Sequence, residues 1–144
     1  MDTKEIKQQI IELERKINVK FPDLYVDFLS KINDGDTFEI KNTGICMYSY
    51  SDLEERNETY QVYEFEPKYF MIGQDGDLAF FIFRNNPNNN SIYSNDLGAL
   101  GSVDMKKEAD NIFDFIKLFE WLYINCRMKN NLSVKLTLPN KFGI

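Results

Sequence analysis

The run Leu78-Ala-Phe-Phe-Ile-Phe83 carries an apolar side chain at every position. Successive residues of a strand point to opposite faces, so such a run demands cover on both sides and a place inside a sheet. "YFMIG" at 69–73 and "SIYS" at 91–94 flank it, joined through Gln-Asp-Gly-Asp at 74–77 and the polar "RNNPNNN" at 84–90. Asp-Gly between two apolar runs signals a hairpin, because glycine supplies a positive φ and aspartate accepts from nearby amides. The spacing predicts three consecutive antiparallel strands, with 78–83 central.

On either side of this block the period is helical. Ile6, Ile10, Leu13 and Ile17 recur at helical spacing behind a capping pair, Asp2 and Glu5, which predicts a helix over 3–17. In "FPDLYVDFLSKIN", Pro22 suits a first helical turn and Tyr25, Phe28, Leu29 and Ile32 make the apolar stripe, with a stop at Asn33-Asp34-Gly35. "TFEI" and "GICMYSY" read as short strands. Ser51-Asp52-Leu53-Glu54 then reads as a capping box opening a helix to about Tyr60, and Pro67 bars any continuation. From Asn111, a cap, the stripe Ile112, Phe115, Phe119 and Leu122 with Ile116 and Tyr123 beside it predicts a last helix, with Trp121 in the core. The expected class is α+β: an antiparallel central sheet with N-terminal helices and a C-terminal helix packed against it. At 144 residues the chain fits one domain, assigned to 1–126, with 127–144 as a basic C-terminal extension.

The residue types restrict the chemistry. The chain has no histidine, which removes the commonest general base and the commonest transition-metal ligand. Neither phosphate-cradling glycine motif occurs. Cys46 and Cys126 stand 80 residues apart with no CxxC spacing and are expected to be reduced. Asp-Gly-Asp occurs twice, at 34–36 and 75–77, yet an EF-hand loop with Gly35 or Gly76 at its sixth position would put Ser30 and Ile32, or Met71 and Gly73, where oxygen ligands must stand. Both tripeptides are therefore expected to be turns, and no metal or cofactor is expected. Carboxylate-pair catalysis of the glycosidase kind stays open on composition alone. No apolar run approaches the ~18 residues that span a bilayer, so no membrane role and a cytoplasmic location are expected.

Charge is uneven. The formal net charge of −6 divides into −10 on residues 1–126 and +4 on Arg127, Lys129, Lys135 and Lys141. An acidic body repels phosphates, so direct nucleic-acid binding is not expected, whereas a basic protein is attracted. The acids concentrate at Asp52, Glu54, Glu55, Glu58, Glu64 and Glu66, with Arg56 the one cation between Asp52 and Glu66. Such a segment is either a solvated helix face or a contact surface for a basic partner. Asp52, Glu54, Glu55, Glu58, Tyr60 and Glu64 are the candidate partner-binding residues, Tyr60 because tyrosine is common at interface centres.

An amphipathic helix containing Glu14, then "FPDLYVDFLSKINDGD", "MYSYSDLEERNETY", "YFMIGQDGDLAFFIF" and "SIYSNDLGAL" in that order, resembles the SUKH superfamily from about residue 5 to residue 125. That family includes fungal cell-wall-assembly regulator-like domains and many bacterial immunity proteins. The resemblance implies an α+β fold around an antiparallel sheet, no enzymatic activity and no cofactor. It further implies a role as an immunity protein that neutralises a cognate polymorphic toxin, often a nuclease, or, following the fungal relatives, as a regulatory or scaffold module. It also implies structural roles for Pro22 at the start of the second helix, Asn33 and Gly35 at its end, and Gly73, Asp75 and Gly76 in the hairpin.

Overall fold

The computed structural model describes residues 2–32 and 36–129, with side chains through Glu120. The stop at Asn33-Asp34-Gly35, the side chains of Trp121, Leu122, Tyr123 and Cys126, and the chain beyond Lys129 lie outside the described residues. The elements run α1 (Thr3–Ile17), α2 (Asp23–Leu29), β1 (Phe38–Glu39), β2 (Cys46–Met47), α3 (Leu53–Thr59), α4 (Val62–Phe65), β3 (Tyr69–Asp75), β4 (Leu78–Phe83), β5 (Ile92–Asp96), a 3₁₀ turn (Leu97–Ala99), β6 (Lys106–Ala109) and α5 (Ile112–Lys129). The six strands form one antiparallel sheet in chain order. The class is α+β, as the periodicity predicted.

β4 is an interior strand, and Ala79, Phe80, Phe81 and Ile82 are at most 1% exposed. Pairing of Phe70 with Ile82 puts Phe70 and Phe80 on one face of the sheet, where Phe21 and Tyr63 pack on Phe70 and Phe115 packs on Phe80. Helical segments thus cover this face. Tyr69, Phe81, Phe83 and Tyr93 make a second ring cluster on the opposite face. Burial of Phe80 and Phe81 together contributes about 3–6 kcal/mol, which is why a run apolar on both sides must be internal.

Local signals place the ends of most elements. Asp2 caps α1 through Oδ1, which accepts from the Glu5 amide at 2.9 Å, and Asn111 caps α5 by accepting from the Asp114 amide at 2.9 Å. Glu14 is 8% exposed and fixes the exit of α1: its Oε2 accepts from the Phe21 amide at 2.8 Å and lies 3.9 Å from Lys20 Nζ. Pro22 stands at the N-cap of α2, one residue before the helix, and its carbonyl accepts from Val26 at 3.0 Å. The helix then ends at Leu29 rather than at 33, because Lys31 and Ile32 turn back to Phe28 and Leu29 through i→i+3 bonds of 3.1 Å. Ile32 is nevertheless buried, which is why it kept the helical stripe.

The expected capping box at Ser51 does not form. Helix α3 has Asp52 at its N-cap with no side-chain cap bond, because Ser49, fully buried, holds Ser51 Oγ at 3.0 Å and Asp52 Oδ2 at 3.4 Å and turns both away from the helix amides. Gln61, at φ +55°, separates α3 from a short helix, α4, that the periodicity did not reveal. β6 was also missed, since an exposed edge strand reading Lys-Lys-Glu-Ala has no apolar alternation.

At the described Asp-Gly-Asp, Asp75 pairs with Leu78 and Gly76 takes φ +57°, so the tripeptide is the β3–β4 hairpin turn. Beyond Gly76 and its two chain neighbours, no atom of the described residues lies within 4 Å of where a Cβ at Gly76 would stand. Gly76→Ala is therefore expected to cost only the conformational penalty, about 1 kcal/mol, and Gly76→Asn less, both read by urea unfolding.

Candidate protein-binding face

Helices α3 and α4 pack side by side on β3. Leu53 and Asn57, both 0% exposed, are the inward positions of α3. Asn57 Nδ2 donates to the carbonyls of Leu53 and Met71 at 2.9 Å each, and its Oδ1 accepts from the Met71 amide at 2.7 Å. The side chain thus stands where a neighbouring strand would, since β2 ends at Met47 opposite Gly73 and reaches no further than the Tyr48 amide on the Ile72 carbonyl. A helix riveted to the sheet in this way presents its outer residues in fixed positions.

The six candidate residues fall on this hairpin of helices but do not act alike. Asp52 is half buried and turned toward Ser49. Glu54 Oε1 pairs with Lys16 Nζ of α1 at 3.0 Å, at the edge of a cleft of about 270 Å³ lined by Leu13, Tyr50 and Ser51. Glu55 pairs with the neighbouring Arg56 guanidinium, whose hydrogen bonds hold the carboxyl below the usual glutamate range. Arg56 in turn lies 5.6 Å over the Tyr60 ring. The Tyr60 hydroxyl accepts from Gln74 Nε2 at 3.5 Å, and Gln74 Oε1 accepts from the Tyr48 hydroxyl. Burial, followed by the Tyr60 hydroxyl beside it, pushes the Tyr48 phenol well above its ordinary range, so it stays a donor. Glu58 and Glu64 are exposed and have no ion pair among the described residues.

The structure therefore joins Glu55, Arg56 and Tyr60 into one cluster running back through Gln74 to the sheet. It assigns Asp52 and Glu54 to internal contacts and leaves Glu58 and Glu64 facing solvent. Lys16, Asn57, Gln74 and Arg84, which border or hold this face, were not singled out from the sequence. Arg84 alone carried a signal, as the one cation between Lys68 and Lys106. Among the described residues, no group of three or more Asp, Glu, Cys or His is placed to hold a metal ion, and no helix is long and apolar enough to cross a membrane.

Residues 7–118 match the model of the SMI1 / KNR4 family (SUKH-1), a span that takes in all six strands and α2 to α4 and ends within α5. The chain belongs to this family. Over 107 residues the SUKH-1 chain is 29% identical to Uncharacterized protein YnaB of Bacillus subtilis (strain 168), covering 74% of this chain and 69% of that protein. The matched region contains the whole α3–α4 face, so every candidate residue lies inside the SUKH-1 domain rather than in an appendage.

Proposed function

We propose that this SUKH-1 domain is a cytoplasmic immunity protein that binds and neutralises a cognate polymorphic toxin, a basic nuclease, through the α3–α4 face and without catalysis or cofactor. The observation that carries the proposal is the exposed, unpaired pair Glu58 and Glu64 beside the Glu55–Arg56–Tyr60 cluster, on helices locked to the sheet by Asn57. A solvated helix needs no such rigid mounting, whereas an interface gains affinity when its groups are already in place. The net −10 on residues 1–126 adds long-range attraction for a basic protein and repulsion for nucleic acid. Family membership supports an immunity-type domain in general, and the acidic face supports the basic character of its target.

The test is co-expression with the protein encoded by the neighbouring gene, the expected toxin. Growth is expected to be restored by the wild-type chain and lost when its expression is withheld. A chain that gives no protection and does not bind that protein would remove the immunity role and favour a regulatory module docking on a different protein.

A further inference from the structure

One cation beside this face has no ion pair among the described residues. Arg84 directly follows β4, where its amide donates to the Lys68 carbonyl at 2.7 Å, and the next residue, Asn85, takes φ +64° and accepts through Oδ1 from the Lys20 amide at 2.9 Å. The backbone is thereby fixed on both sides of the residue. The guanidinium lies 5.2 Å from the centre of the Tyr63 ring on α4, and this is its only contact of a polar or aromatic kind among the described residues. Among the described residues no carboxylate pairs with it, and its Nε is buried with no hydrogen-bond acceptor. The Tyr63 hydroxyl beside it is likewise buried and unpartnered. Buried polar groups left without partners are costly and rare, and two adjacent ones with the same deficit, an acceptor for N–H and O–H donors, specify the missing group.

We propose that Arg84 and Tyr63 form an anchor for a carboxylate, an Asp or Glu side chain of the protein partner, at the margin of the α3–α4 face. A guanidinium stacked on an aromatic ring leaves its terminal N–H groups, which are not among the buried unpartnered atoms, for a carboxylate, and a neutral phenol lies beside them. Glu54 and Glu58 lie close enough to Tyr63 to act on its hydroxyl, so a chain of phosphates would meet more repulsion here than a single carboxylate carried on an otherwise basic surface. The inference rests on the α3–α4 face being a protein-binding surface. It adds that the face is bipolar, with acids at Glu58 and Glu64 and one cationic socket beside them.

The first test uses the full ¹⁵N-labelled chain and needs no partner. The Arg84 Nε–Hε resonance, identified by its loss in Arg84→Lys, is followed as acetyl-Glu-Ala-Glu amide is added, with exposed Arg15 on α1 as internal control. Arg84 is expected to shift at least three times as far as Arg15 and to saturate, and an RNA oligouridylate is expected to leave it in place. An Arg84 response no larger than that of Arg15, or a response to RNA and not to the peptide, would overturn the carboxylate assignment. Thermal unfolding supplies the second arm. Arg84→Gln is expected to leave the melting temperature unchanged or raised, because it removes a half-buried charge that has no ion pair among the described residues. A fall of several degrees would make Arg84 a structural residue and overturn the proposal. The peptide arm separates the two proposals: saturation at Arg84 with no binding to the protein encoded by the neighbouring gene would keep the socket and remove the immunity role.

Discussion

Alanine at Asn57 is expected to lower the unfolding free energy by about 3–5 kcal/mol, a large share of the 5–15 kcal/mol typical of a domain. The truncation leaves the Met71 amide and carbonyl without the partners they have at 2.7 and 2.9 Å. No strand replaces it, because β2 stops short of Met71. Water is also excluded, since Met71 and Asn57 are both 0% exposed. Each buried backbone group left unsatisfied costs about 1–3 kcal/mol, and the cavity adds to this. Asn57→Asp offers a sharper comparison: a carboxylate still accepts from the Met71 amide but cannot donate to the Leu53 and Met71 carbonyls, and it buries a charge. Both variants are expected to be severely destabilised in urea unfolding. A loss under about 1 kcal/mol for Asn57→Ala would contradict the role of this amide as a substitute strand.

Gly73→Ala is expected to cost about 3 kcal/mol, well above Gly76→Ala in the same hairpin. Gly73 faces Met47 across the sheet, at the register shift that β3 makes between Met71 and Gly73. A Cβ there would stand 2.6 Å from the Cys46 carbonyl oxygen and 2.7 Å from Met47 Sδ. The sulfur can swing away, but the carbonyl belongs to β2, so the strand itself must move. β2 pairs with β3 at only two positions, Cys46–Gln74 and Met47–Gly73, and displacing it also strips β1 from the sheet. Gly73 is thus required for closeness and Gly76 for its positive φ. Equal costs for the two substitutions would contradict that distinction.

Sequence periodicity revealed the parts of the fold in which local chemistry and tertiary environment agree. The run 78–83 could only be internal, Asp-Gly could only turn, and Asp2 and Asn111 cap the helices they precede. Where the two disagree, the outcome depends on residues distant in the chain or on neighbours competing for the same groups. Ser51 is a good cap by type, yet Ser49 takes its hydroxyl. β6 is an edge, so its lysines hide it. The position of Asn57 in α3 follows from its index, but its partner Met71 lies 14 residues on, and no local pattern announces that pairing. The candidate face divides in the same way. Its acids were legible as a composition bias, whereas the distinction between Glu54, held by Lys16, and Glu58, facing solvent, needed the placement of α1. Arg84 stood out in sequence only as an isolated cation, and its significance depends on Tyr63 and on the absence of an acceptor at Nε.

The unequal roles of the acids decide which to change. Reversing Glu54 would break its pair with Lys16, so Glu58→Lys with Glu64→Lys is the cleaner substitution: both side chains are exposed, and the charge changes by four units. The most direct measurement is the association rate of wild type and of this double variant with the proposed partner, the protein encoded by the neighbouring gene, at two salt concentrations, with thermal unfolding as the control. The melting temperature is expected to stay within a few degrees. The wild-type rate is expected to fall as salt rises, and the variant to associate about tenfold or more slowly at low salt and to lose most of that salt dependence. An unchanged association rate and salt dependence in a folded variant would show that the partner is met elsewhere and would contradict the placement of the binding face on α3 and α4.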